Sequence, residues 1–150
     1  MNLQLKLVED LKSAMKARDT LRVDTLRLLR SQLKDAEIDK GASLTETDEI
    51  AVLSNAAKKR KEAIAIYQKS ERKDLLARET AELQIITSYL PRQLSEAEIT
   101  AAITAVIAET GATSRADMGK VMGVVMKQLQ GQVDGKRVQQ IVQSKLELDH

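Results

Sequence analysis

The chain has no cysteine, tryptophan or phenylalanine, a single proline, two tyrosines and one histidine, which is its last residue. Without cysteine there can be no disulfide, thiolate nucleophile or thiolate metal site, so stability must come from packing. With only Tyr67 and Tyr89 as aromatics, the core falls to Leu, Ile, Val, Ala and Met, and no ladder of rings exists on which bases could stack. One proline and few β-branched runs disfavour a sheet. A terminal His150 is hard to hold in place as a catalytic base and reads as a frayed end. No apolar run approaches the roughly 20 residues that span a bilayer, and the start lacks the basic-then-apolar layout of a secretion signal. The expected compartment is therefore the cytoplasm, with no membrane partner.

What remains is a foldable composition: 43% hydrophobic and 31% charged residues exclude extended disorder. At 150 residues the chain can bury about 70% of its unfolded surface, enough for one domain or two small ones. The net charge of +2 exerts little overall pull on a polyanion. Its distribution is uneven. Residues 1–94 hold 18 basic and 15 acidic side chains, whereas residues 95–150 hold 6 and 7.

Helical periodicity runs through the chain. Leu3, Leu7, Val8, Leu11, Ala14 and Met15 form a first apolar stripe. Asp19 caps a second helix, which carries Leu26, Leu29, Leu33 and Ala36 to a stop at Gly41. Thr45, followed by Glu46, Asp48 and Glu49, starts a long third helix whose buried stripe is Ile50, Leu53, Ala57, Ile64 and Tyr67, with Arg60 interrupting it. A turn between Ser70 and Asp74, or a bend in one helix, leads to a fourth that carries Leu75, Leu76, Leu83, Ile86, Tyr89 and Leu90. Pro91 ends that region, and residues 91–95 form the expected domain boundary. Ser95 with Glu98, and Ser114 with Asp117, mark the starts of a fifth and a sixth helix, and Asp134 caps a seventh.

Five of the six glycines lie in the last forty residues, two of them inside the sixth helix as Gly119 and Gly123. A glycine within a helix costs on the order of 1 kcal/mol relative to alanine, so the pair implies close approach by another backbone or a ligand. At 100° per residue, Met118, Met122, Val125 and Leu129 fall within about 60° of one another, with both glycines on the flank. The plainer reading is that the glycines admit the fifth or seventh helix while methionines fill gaps. The functional reading is a surface of Met118, Gly119, Met122, Gly123 and Met126 that admits a phosphate backbone or a partner helix, with Lys120 and Lys127 beside it.

The run Ala116 to Met126, followed by Gly131, Asp134-Gly135, Val138 and Leu146, resembles the YqeY-like family. Arg27-Leu28-Leu29-Arg30, the Lys58 to Lys61 block and the Tyr89 to Leu94 junction are also similar to family patterns. That family shares a helical module with the tail of the B subunit of the tRNA-dependent glutamine amidotransferases (GatB/YqeY). The resemblance implies an all-α fold with a longer N-terminal bundle and a small three-helix C-terminal domain. It also implies an association with holding tRNA, and family labels extend this to carbon–nitrogen ligase activity with glutamine as amido-N-donor.

The residues announce no apparatus for that chemistry, which needs an activated nucleophile and an ATP site. There is no Gly-Lys-Ser/Thr phosphate loop and no His partner for any serine. Asp134-Gly135 lacks the repeated oxygen ligands of a calcium loop. Asp48 and Glu49, and Glu79 and Glu82, read as solvated helix faces or dipole partners. No metal and no cofactor is expected.

The expected architecture is all-α, an N-terminal antiparallel helical bundle over residues 1–92 and a three-helix domain over 93–150. The leading functional expectation is an auxiliary tRNA-binding module without its own active site. Its phosphate contacts would be Arg27, Arg30, Lys34, Lys58, Lys59, Lys61, Lys120 and Lys127, with no reading of DNA sequence. The alternative is an adaptor for amidotransferase or synthetase machinery. Charge runs are usually solvated surfaces, and Lys58 to Lys61 wrap most of the way around a helix.

Overall fold

The computed structural model describes residues 2–148, so His150 lies outside the described residues. Those residues form seven α-helices and one 3₁₀ turn, with no strand among them. Contacts divide the chain into two compact units, one ending at Pro91 and the other beginning at Arg92.

The N-terminal unit contains α1 (Leu3–Lys16), α2 (Thr20–Lys40), α3 (Glu46–Gln68) and α4 (Lys73–Thr87). Asp19 Oδ1 accepts from Arg22 N to start α2, and Gly41 ends it at φ 73°, a left-handed conformation that costs a glycine nothing. The chain turns between α3 and α4, so the two are separate helices rather than one bent rod. Leu7, Leu11, Leu26, Leu29, Leu33, Leu53 and Ile86 interlock as the core, each such side chain contributing about 1.5–3 kcal/mol on leaving water. Met15, at the edge of the first stripe, is exposed instead.

α4 stops at Thr87, earlier than its apolar pattern suggests, because Pro91 drives the residue before it out of helical angles. Tyr89 and Leu90 lie beyond the helix end. There the Tyr89 hydroxyl donates to Asp10 Oδ2 at 2.5 Å and tethers the end of α4 to α1. Burial, followed by that bond to Asp10, pushes the phenol up, so the group remains a donor.

Glu79 and Glu82 are not solvated faces, which corrects the sequence expectation. Arg60 of α3 reaches across to α4, its Nε 2.8 Å from Glu82 Oε2 and 3.5 Å from Glu79 Oε2. The Nε has no in-line acceptor, so these contacts are electrostatic rather than hydrogen bonded. Arg78 completes the set, with Nε donating to Glu82 Oε1 at 3.0 Å and a longer pairing to Asp24 of α2.

The C-terminal unit contains α5 (Glu96–Thr110), a 3₁₀ turn at Arg115–Asp117, α6 (Met118–Gln128) and α7 (Gly135–Leu148). Ile103, Val106, Val121, Val125, Val138, Val142 and Leu146 form its core. The segment before α5 is stitched to the α6–α7 turn. Gln93 Nε2 donates to Gly131 O, Leu94 N to Gln132 O, and Gln132 Nε2 to Arg92 O. Gly131 makes this turn at φ 77°.

Two capping boxes hold carboxyls whose protonation should weaken the fold in acid, and Asp117 and Asp74 are lowered as well. Arg92 and the Ser95 amide hold the Glu98 carboxyl down from 4.5 to about 2, and Lys40 and the Thr45 amide hold Asp48 at about 2. A value lower in the folded chain than in the unfolded one means stability present above about pH 4.5 and lost as pH falls toward 2. Glu98→Gln should therefore be less stable than the parent at pH 6, with urea midpoints that converge as pH drops through this window. A gap that is constant with pH would contradict the assignment.

Candidate nucleic-acid interface

α2 presents Arg27, Arg30 and Lys34 on an arc of about 60°, all three exposed. The core-facing leucines of α2 set this arc, since the cations sit beside the buried stripe rather than opposite it. Arg30 and Lys34 line a cleft of about 230 Å³ with Gln4 and Val8 of α1 and Glu37. Gln4 Nε2 donates to Glu37 Oε1 at 2.9 Å and fixes the cleft floor.

On α3 the basic block is split. Arg60 turns toward Glu79 and Glu82, while Lys58 and Lys59 are exposed and Lys61 is half-buried. The three lysines span about 160° of the helix, so they make a broad cationic surface rather than a focused one.

α6 carries the candidate surface of the C-terminal unit. Val121 and Val125 are buried, and Met118, Met122 and Met126 pack half-buried against the same core. The solvent side is built from Ala116, Gly119, Lys120, Gly123 and Lys127, all exposed. A Cβ placed on Gly119 or Gly123 would meet nothing within 4 Å. The close-approach surface expected from the sequence is thus divided, with its methionines turned inward and its glycines outward. Packing by α5 or α7 is not what admits the glycines, because neither helix reaches them.

None of Arg27, Arg30, Lys34, Lys58, Lys59, Lys61, Lys120 and Lys127 forms an ion pair among the described residues. By contrast, Arg92, Arg115 and Arg137 of the C-terminal unit all pair with acids, namely Glu98, Glu147 and Glu96. The free lysines keep three donors each for an incoming anion. Among the described residues no group of three or more His, Asp or Glu side chains could hold a metal ion, and no helix is long and apolar enough to cross a membrane. Sequence reading missed the inward turn of Arg60 and the partial burial of Glu49, for which the only signals were a broken stripe and an acid one turn past a cap.

Residues 4–146 match the family described as Yqey-like protein. The chain belongs to the Yqey-like family. Curated relatives of this Yqey-like chain include "Altered inheritance of mitochondria protein 41, mitochondrial" of Lachancea thermotolerans. It is 42% identical over 100 residues, covering 65% of this chain and 54% of the relative. The protein of the same description from Kluyveromyces lactis is 39% identical over 84 residues, covering 55% of the chain and 45% of the relative. An uncharacterized protein of Schizosaccharomyces pombe is 33% identical over 94 residues, covering 63% of the chain and 76% of the relative. The matches span about half the length of the mitochondrial relatives. The cytoplasmic expectation is corrected by these relatives, which are described as mitochondrial.

Proposed function

We propose that this Yqey-like protein is an auxiliary tRNA-binding module related to the amidotransferase B-subunit tail, and that it acts without an active site of its own. The observation that supports this reading is the open side of α6. Two bare backbone positions lie there beside two unpaired lysines, so a phosphodiester chain can approach closer than a side chain would allow. The arc on α2 and the lysines of α3 add sequence-independent contacts to phosphate, and the lack of exposed rings leaves base reading out.

Fluorescence anisotropy with labelled tRNA at 50 and 200 mM salt tests this. Each phosphate contact contributes roughly 0.7–0.9 to the slope of log K against log salt, so Lys120→Ala with Lys127→Ala should reduce that slope by about 1.4–1.8. Binding that is absent at low salt, or no tighter than to heparin, rejects the proposal. A second reading, in which the same open side of α6 receives a partner helix, is favoured if a protein is retained in pull-downs by the parent chain and tRNA is not.

A further inference from the structure

Among the described residues the exposed large apolar side chains are Leu5, Met15, Leu28, Ile38 and Ile66, and three of them share the outer face of the α1–α2 layer. The short turn at residues 17–19 sends α2 back along α1, and the Gln4 to Glu37 bond ties the start of α1 to the end of α2. On α1, Leu5, Val8, Lys12, Met15 and Lys16 fall within an arc of about 100°, and on α2, Arg27, Arg30, Lys34 and Ile38 fall within about 80°. Val8 meets Arg30 and Lys34 across the cleft between the helices, so the two arcs make one surface.

That surface holds apolar carbon out in water at both ends. Leu5 and Ile38 are 62% and 67% exposed at one end, and Met15 is 51% exposed at the other. Neither arc contains an acid: Glu9 and Glu37 stand at the edges, and Glu37 is engaged by Gln4. Lys12, Lys16, Arg27, Arg30 and Lys34 are all exposed, and none forms an ion pair among the described residues.

We propose that this face lies on an anionic phospholipid membrane, with Leu5, Met15 and Ile38 entering the headgroup boundary while the five cations meet the lipid head groups. The expectation of no membrane partner rests on the want of a spanning segment, and lying on a surface needs none. The charge and shape of the face select this occupant. A second copy would bring five cations against five. A nucleic acid takes up the cations but gives exposed aliphatic side chains nothing to do, since stacking on bases needs rings. A partner helix needs an apolar groove, whereas the cleft here holds about 230 Å³ between mostly polar walls and the apolar groups protrude from ridges beside it. A bilayer surface closes around protruding side chains without prepared pockets. The open side of α6, in the other unit, is not part of this face.

The chain has no tryptophan, so Leu5→Trp in the full chain reports insertion by its fluorescence. With vesicles of equal parts phosphatidylcholine and phosphatidylserine, its emission should move to the blue and the protein should float with the vesicles. With phosphatidylcholine alone it should do neither. Leu5→Ser with Ile38→Ser, at two exposed positions and with every cation kept, should weaken flotation at least about tenfold. Arg27→Gln with Lys34→Gln should weaken it about thirtyfold at low salt. Ile66→Ser, which removes an equally exposed apolar side chain from α3, should float as the parent does. The proposal is overturned by emission that does not move, by flotation unchanged in the serine pair, which charge alone would explain, or by flotation lost equally in Ile66→Ser. Capture of an acidic protein through this face by a chain that ignores both kinds of vesicle would also overturn it.

Discussion

Arg60→Met is expected to destabilise the N-terminal unit by about 3 kcal/mol. The guanidinium is the cation that faces both Glu82, which is buried, and Glu79, which is largely so. Removing one member of a buried pair leaves an uncompensated charge, which typically costs 3–5 kcal/mol, and the partial exposure of Glu79 together with Arg78 beside Glu82 places this case near the lower end. Urea unfolding measures the loss directly. Arg60→Met combined with Glu82→Leu should recover only part of it, because the buried acid leaves together with its partner while Glu79 keeps its charge without Arg60. A loss under about 1 kcal/mol in the single variant would mean that water already satisfies the acids.

Gly119→Ala with Gly123→Ala is expected to act in the opposite direction on stability and to weaken tRNA binding. Both residues lie in α6 with ordinary helical backbone, and neither has an atom where a methyl group would go. Alanine therefore gains helix propensity at no steric cost, about 1 kcal/mol at the interior Gly123 and less at Gly119 in the first turn. The combined gain of roughly 1–1.5 kcal/mol should appear as a higher thermal midpoint. If the bare positions serve an incoming phosphodiester chain, the same variant should lose tRNA affinity although every lysine is retained. A more stable protein with unchanged affinity would separate the glycines from binding and remove the main support for the proposed function.

Most helix limits were legible because their signals are local. Asp19, Thr45 and Ser95 each offer a side-chain oxygen to an otherwise unpaired amide three residues on, and Gly41 and Gly111 end their helices in a left-handed conformation. The wheel of α6 correctly grouped the methionines with Val125 and set the glycines on the flank. What it lacked was whether another helix covers that flank, which depends on where α5 and α7 cross. The same limit applied to Glu79 and Glu82, whose partner Arg60 lies on a different helix, and to Tyr89, whose acceptor Asp10 is 79 positions away. Arg60 was visible as an interruption in an apolar stripe, but a stripe does not reveal what the interrupting charge faces. For the candidate interface, residue types and exposure followed from composition and periodicity. The split of the Lys58 to Lys61 block did not, because it follows from one arginine finding acids across a helix pair.

The stitching of Arg92, Gln93 and Leu94 to the α6–α7 turn fixes where an excised C-terminal half has to begin. A fragment started at the Ser95 cap would retain all three helices on paper yet leave the carbonyls of Gly131 and Gln132 without these donors, and Glu98 without its guanidinium. Three residues that look like a tether between two halves belong to the second of them, and a cut made to free that half should fall no later than Pro91.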